Sequence, residues 1–386
     1  MKNKSFCFFI IGAYLSAAML LILLSVYVNI FNEDSEKWKT GSVEPGNDLI
    51  IRKERANFLQ QDNLQYNAFI LGGSKAGALQ PETFTLYTDN LFYNTYVTNG
   101  NFRDYGLFAD FILKNYNQQI NELVLHLSSH ETEAFSRISY IPIQMKQSVF
   151  SKVNSFYLDF KENYLNSVRV YSALVKKDNF PGAFTTKLGA RNPKSDLETR
   201  RKNEDINRFN NVVLSYWEEY DVALNDLFYK TKDLQACSKS IQELKKIKKS
   251  CDENNVKLTI IIGPTFIGEL YKYASEDFIK YLKDLVSICD VWNFGGINNV
   301  NLNPYNFSNG GHYYYWVGNK MIETIYSSPS NTQNMDAFGI LLTEENIDEY
   351  IQTQKIKWAQ LKTEYDKKGM ITLFDQNDES YIWKNQ

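Results

Sequence analysis

Short runs of apolar residues alternate with segments of helical periodicity along most of the chain. Five runs have the length and the β-branched or aromatic content of strands: residues 67–73, 91–97, 122–128, 256–262 and 289–294. Apolar residues recur at helical spacing in residues 102–115, 234–254, 276–287 and 313–326. Such alternation is typical of a mostly parallel sheet with helices on both faces. The pattern therefore predicts a doubly wound α/β domain over residues 63–330.

The strand pattern is interrupted once and ends before the chain does. Between residues 136 and 220, aromatic-rich helical patterns surround a polar loop at residues 187–195, and the strand pattern disappears. We expect this helical insertion to pack over the carboxyl edge of the sheet and to narrow access to it. After a break rich in Ser, Pro and Asn, residues 331–386 are predicted to form a helical extension, with a helix over residues 344–365.

The amino-terminal segment has the pattern of a membrane anchor. Residues 5–31 are 27 consecutive positions without a charge, and about 20 apolar residues suffice for a helix to cross a bilayer. The apolar stretch of a cleaved signal peptide, the alternative, is only about 7–15 residues long. Because Lys2 and Lys4 precede the run, the positive-inside rule predicts a cytoplasmic amino terminus. Residues 1–34 would then form the tip and anchor and residues 35–62 a stalk, in a single-pass protein of the cytoplasmic membrane with a periplasmic or extracellular domain.

Composition argues against a nucleic-acid partner and against a metal site built from His and Cys. The net charge of −3 provides no basic excess for a phosphate backbone, so nucleic acid is not an expected partner. With 3 His and 4 Cys, and without CxxC or HExxH spacing, the sequence also predicts no metal site. Cys237 and Cys251 lie on one predicted helix, where a separation of 14 residues is about 21 Å, too far for a disulfide.

Two residues at predicted strand ends are candidates for nucleophilic chemistry. Ser74 follows the first strand in the sequence LGGSKAG, where glycines let the backbone turn sharply and expose the hydroxyl. His312 lies just before the last helix of the sheet domain, and a serine nucleophile needs an imidazole within hydrogen-bonding reach. The alternatives are a serine in an ordinary glycine turn and a surface histidine at a helix start. A phosphate-loop interpretation is weak because Lys75 is misplaced for it.

These residues and their order resemble the SGNH (GDSL-like) hydrolase superfamily, in its membrane-anchored form that modifies bacterial cell-surface polysaccharides. The resemblance covers about residues 65–330 and implies an SGNH or flavodoxin-like sheet without a cofactor. It implies that Ser74 is the nucleophile, that the N–H groups of Ser74 and Gly100 form the oxyanion hole, and that His312 is the base. The family's Asp-x-x-His block reads Asn309-Gly-Gly-His312 here, so Asn309 would orient the imidazole.

The sequence departs from the family pattern at two blocks. Asn309 replaces an orienting Asp, and an amide cannot stabilise an imidazolium by charge. The third-block Asn is missing, and residues 128–131 (SSHE) stand in its place, so Ser129 or His130 is a possible contributor to the site. His126 alternates with its neighbours on one strand face and is predicted to be a hydrogen-bonded core residue.

The resemblance implies an esterase or acyltransferase that acts on acyl esters of a cell-envelope glycan. The expected partners are that glycan or an acyl donor, and a membrane acyltransferase is a further candidate. The alternative is a non-catalytic envelope component that keeps the fold and binds glycan or partners such an acyltransferase. The departures at Asn309 and in the third block favour this alternative.

Overall fold

The computed structural model describes most of the predicted sheet domain. The described residues are 65–98, 100–115, 119–128, 186–194, 238–265, 273–303, 306–309, 312–327 and 337–368, with the single residues 16, 55, 58, 59, 270 and 335, and only the backbone of 115, 238, 308, 309 and 368. The chain divides into two compact units, residues 1–56 with 140–184, and residues 57–139 with 185–386. Almost all the described residues belong to the second unit, to which the following description applies.

A six-stranded mixed sheet forms the centre of this unit. Its strands are β1 (Ala68–Gly72), β2 (Phe92–Asn94), β3 (Glu122–Leu127), β4 (Lys257–Ile262), β5 (Val291–Asn293) and β8 (Ile340–Leu342). They lie in the order β2-β1-β3-β4-β5-β8, with β8 antiparallel to β5 and the other pairs parallel. The first five follow the strand order of flavodoxin-like sheets. The predicted α/β class with a mostly parallel sheet is confirmed.

The central strands are apolar because helices cover both of their faces. Every residue of β1 and β3 is buried, as expected for parallel strands with two covered faces. The helices are a 3₁₀ helix (Ser74–Ala78), α1 (Pro81–Phe84), α2 (Phe102–Asn115), α3 (Ser238–Glu253), α4 (Glu276–Val286), α5 (Tyr315–Ser327) and α6 (Ile347–Lys368). Helix α2 packs on α3, whereas α5 packs on α1 and the 3₁₀ helix. With this strand order, right-handed crossovers place α2 and α3 on one face of the sheet. They place α1, α5 and the 3₁₀ helix on the opposite face.

Three short strands differ from the sequence prediction. The predicted helix at residues 313–326 begins at Tyr315, because β7 (His312–Tyr313) pairs antiparallel with β6 (Phe307–Asn309). The extension after residue 331, predicted as helical, also supplies β8 to the edge of the sheet. A strand of two or three residues is too short to display a hydrophobic period by itself, so the sequence pattern did not reveal these three. Strands β2 and β5 are equally short, but they lie within the longer runs at residues 91–97 and 289–294 that predicted them.

Several predictions concern residues that the structure leaves undescribed. The proposed anchor at residues 5–31, the stalk and most of the insertion at residues 136–220 lie outside the described residues. Within the described parts of the chain, no helix combines the length and apolar character that a membrane span requires. Of the insertion, residues 186–194 are described, and they contact the carboxyl end of β2 through a hydrogen bond from Asn94 N–H to Leu188 C=O of 2.9 Å.

Candidate active site

Ser74 lies at the tip of β1, where the chain turns abruptly into the 3₁₀ helix. A Cβ on Gly72 would lie 2.7 Å from Ala76 Cβ and 2.8 Å from the carbonyl oxygen of His126. The residue is therefore glycine because the 3₁₀ helix folds back onto β1 and β3. Ser74 is the first residue of this helix, and the first N–H groups of a helix have no intrahelical acceptor.

His312 is held at the same edge of the sheet by the two residues that follow it, Tyr313 and Tyr314. The hydroxyl of Tyr313 is 2.9 Å from His126 Nε2, at the carboxyl end of β3. Tyr314 N–H donates to the carbonyl oxygen of Asn306 at 3.0 Å. Tyr313 and His126 are both fully buried, so the predicted assignment of His126 as a hydrogen-bonded core residue is confirmed. These contacts hold the backbone next to His312 in place and thereby position its imidazole.

The two candidate residues meet in a direct hydrogen bond. Ser74 Oγ lies 2.8 Å from His312 Nε2, although the residues are 238 positions apart in sequence. Both side chains are half-buried, so the pair borders the interior and is still accessible to solvent. A serine hydroxyl at this distance from a ring nitrogen can transfer its proton to the imidazole as the oxygen attacks an electrophile. This distance suits the roles of nucleophile and general base that the sequence predicts for Ser74 and His312.

Two cationic side chains are buried near this pair. Lys75 follows Ser74 directly and is 4% exposed, and Arg191 is 8% exposed. Arg191 Nη2 donates to the carbonyl oxygen of Tyr313 at 2.7 Å, one residue from His312. Burial raises the pKa of Tyr313 above its ordinary value, and the Arg191 guanidinium partly opposes this rise. The polar loop at residues 187–195 is evident in the sequence, but no sequence pattern distinguishes Arg191 within it.

Gly100 lies in the loop that follows β2 along the end of β1. Val97 N–H in this loop donates to the carbonyl oxygen of Gly72 at 3.0 Å. A Cβ on Gly100 would lie 2.8 Å from both Val97 Cγ2 and Tyr105 Cε1, so the packing of this loop requires glycine. This crowding gives Gly100 a packing role that does not depend on oxyanion binding. The assignment of its N–H to the oxyanion hole stays a prediction.

The other candidate residues are placed incompletely. Asn309 lies opposite His312 in the β6–β7 pair, and its side chain is outside the described part of the structure. Ser129 and His130 also lie outside the described residues. Ser128, the residue before them, is buried at the end of β3. The roles predicted for Asn309, Ser129 and His130 therefore remain predictions.

The described residues provide no evident metal site. Among them, no group of three or more His, Cys, Asp or Glu side chains could hold a metal ion. The thiols of Cys251 and Cys289 are free, and Cys237 lies outside the described residues. Burial raises the pKa of Cys251 to about 12 and that of Cys289 to about 11. Neither thiol is therefore ionised near neutral pH, as a thiolate nucleophile or metal ligand must be.

Comparison with known proteins adds no assignment to this geometry. No family model matches the chain, and no curated protein and no solved structure matches it either. The candidate site thus depends on its own residues: a serine at a strand tip, a histidine bonded to it, and the buried groups that hold both.

Proposed function

We propose that this protein is a membrane-anchored, SGNH-like esterase or acyltransferase that acts on acyl esters of a cell-envelope glycan. The observation that carries the proposal is the 2.8 Å hydrogen bond between Ser74 Oγ and His312 Nε2 at the carboxyl edge of the sheet. Sites in open α/β sheets form at this edge, beyond the strand ends. The glycan substrate and the anchor are taken from the family resemblance and from the uncharged residues 5–31.

In the proposed reaction, the Ser74 oxygen attacks the acyl carbonyl carbon while His312 accepts the hydroxyl proton. The carbonyl electrons move to oxygen, and the N–H groups of Ser74 and Gly100 hold the resulting oxyanion; each such donor contributes about 3–4 kcal/mol in related chemistry. His312 then returns the proton to the departing alcohol, which leaves an acyl-serine. Water or a sugar hydroxyl attacks this ester, with His312 again taking the proton, and Ser74 is regenerated.

The test is turnover of p-nitrophenyl acetate by the full-length chain in detergent, together with labelling of Ser74 by a fluorophosphonate. Ser74→Ala and His312→Gln should each lower turnover by at least about a thousand-fold, because nucleophile and base act as a unit. Ser287→Ala, which removes an exposed hydroxyl at the carboxyl end of α4, is the matched control and should retain full activity. Turnover that survives Ser74→Ala would contradict the proposal.

Hydrolysis and transfer are separated by adding an acceptor. With p-nitrophenyl acetate as donor and chitopentaose as acceptor, mass spectrometry distinguishes free acetate from acetylated oligosaccharide. Acetylated oligosaccharide that depends on Ser74 would identify the protein as a transferase, and acetate alone would identify a hydrolase.

The second candidate function is a non-catalytic envelope component. It is favoured by Asn309, which provides an amide where the family has a carboxylate beside the base. This alternative predicts that a Ser74→Ala strain with normal protein levels makes an unchanged envelope glycan. Loss or gain of acyl groups on the glycan in that strain would exclude it.

A further inference from the structure

One buried residue contacts both of the elements that carry the candidate pair. The backbone N–H of Arg191 donates to the carbonyl oxygen of Gly77, in the 3₁₀ helix that begins with Ser74, at 2.7 Å. Its guanidinium donates through Nη2 to the carbonyl oxygen of Tyr313, next to His312, also at 2.7 Å. Arg191 therefore connects two segments that are far apart in sequence and that meet at the Ser74–His312 hydrogen bond.

The loop that carries Arg191 is itself fixed to the edge of the sheet. The Arg191 carbonyl oxygen accepts from Gln80 Nε2 at 3.0 Å. Leu188, in the same loop, accepts from the backbone N–H of Asn94 at the end of β2. Gly189 has a φ of +85°, and a Cβ there would lie 2.1 Å from the Asn94 carbonyl oxygen. Only glycine permits this close approach, so the packing of the loop against the end of β2 defines where the arginine side chain begins.

The chemistry of the contact also favours a guanidinium. A charged donor makes a stronger hydrogen bond to a carbonyl than a neutral one does, particularly where solvent is excluded. Burying a cation at 8% exposure is unfavourable unless its N–H groups are satisfied. A planar guanidinium directs several donors from one rigid group, whereas a lysine ammonium is a point charge on a flexible stem. Lysine at this position would keep the charge and lose the geometry.

We propose that Arg191 is a positioning residue, which holds β7 against the 3₁₀ helix and thereby sets the distance between His312 Nε2 and Ser74 Oγ. This inference rests on the proposed Ser-His chemistry. Arg191 touches the Tyr313 carbonyl rather than a reacting atom, so its effect on turnover is transmitted through the backbone beside the base. A displacement of about 1 Å in catalytic geometry can lower a rate by about a hundred-fold.

The experiment compares Arg191→Lys, Arg191→Gln and Arg191→Ala in the full-length chain with p-nitrophenyl acetate as substrate. Loss of positioning should lower kcat by about a hundred-fold and change KM by less than about threefold. Fluorophosphonate labelling of Ser74 should slow by a similar factor. Guanidinium ion at low millimolar concentration should restore part of the kcat of Arg191→Ala. Lys246→Gln, which removes an exposed cation from α3, is the control and should match wild type.

The outcomes separate this inference from the proposed function. Turnover that requires Ser74 and His312 but is unchanged in Arg191→Gln overturns the positioning role alone. A loss of activity that follows the fall in melting temperature, without guanidinium rescue, also overturns it. If Arg191→Ala does not fold, Arg191→Lys carries the test, because a lowered kcat at an unchanged melting temperature supports positioning and a wild-type kcat refutes it. Absence of turnover and of Ser74 labelling in the wild-type protein refutes the proposed function itself.

Discussion

Replacing Tyr313 by Phe removes the hydroxyl group that forms a hydrogen bond between β7 and the end of β3. The Tyr313 side chain is fully buried, and its hydroxyl lies 2.9 Å from Nε2 of the equally buried His126. The substitution keeps the ring, so it opens little space, but it leaves the imidazole nitrogen without this partner. The hydrogen bond is lost, and His126 Nε2 stays buried without this partner. Together these effects should lower the free energy of unfolding by about 1–3 kcal/mol.

Urea denaturation followed by tryptophan fluorescence measures this loss. A decrease of about 2 kcal/mol, with an m-value of about 2–3 kcal/mol/M, lowers the midpoint by roughly 0.7–1 M. Tyr87→Phe is the matched control because the Tyr87 side chain is 36% exposed, and it should change the free energy of unfolding by less than about 0.5 kcal/mol.

A double-mutant cycle assigns the loss to the hydrogen bond itself. On a His126→Leu background, Tyr313→Phe should cost much less than in the wild-type protein, because the partner nitrogen is already absent. Equal costs in the two backgrounds, or a cost in the wild type no larger than that of Tyr87→Phe, would show that the Tyr313–His126 contact does not hold β7.

Three further outcomes are expected. In α5, Gly318→Ala would place a Cβ 2.5 Å from the Ala78 carbonyl oxygen. The resulting overpacking of about 1–3 kcal/mol should exceed the helix-propensity gain of about 1 kcal/mol and lower the thermal midpoint. Lys320→Ala, which changes a half-buried side chain on the same helix, should not lower it. In a variant that keeps Cys289 alone, a pKa of about 11 instead of 9.0 should lower the thiolate fraction at pH 8 about a hundred-fold. Because a more basic thiolate is also a stronger nucleophile, disulfide exchange with a thiol reagent should slow about tenfold, and its rate should rise about tenfold per pH unit up to about pH 11. An ordinary rate at pH 8 would contradict the burial of this thiol. Asn309→Asp should raise ester turnover about tenfold or more by stabilising the imidazolium, and an unchanged rate would mean that this position does not serve the base.

The sequence predicts the parts of this fold in which local pattern and tertiary role coincide. Strands β1, β3 and β4 are apolar runs because they lie at the buried centre of the sheet, so their composition indicates their position. The predicted helix at residues 102–115 has the same bounds as α2. Ser74 was recognisable as a strand-tip residue because the glycines before it accommodate a close turn.

The rest depends on contacts between distant segments, which a single sequence does not display. Arg191 and Tyr313 are 122 positions apart, and their hydrogen bond uses a backbone carbonyl that any residue would provide. The Tyr313–His126 bond spans 187 positions. Each residue has an ordinary local context, so its role becomes apparent only when the sheet brings the partners together. The glycine-containing loop around Arg191 is recognisable in the sequence. It predicts a turn at this place but not the contacts that Arg191 makes.

The separation of Ser74 from His312 also sets the order in which the candidate site can form during synthesis. Translation at about 5–20 residues per second takes about 12–48 s to cover the 238 positions between them. During that interval the nascent chain carries the serine without the imidazole that would activate it. Strands β1, β2 and β3 can pair early, whereas β7 pairs only after nearly the whole sheet has been made. A nascent or truncated chain that ends before β7 is therefore expected to be inert toward esters.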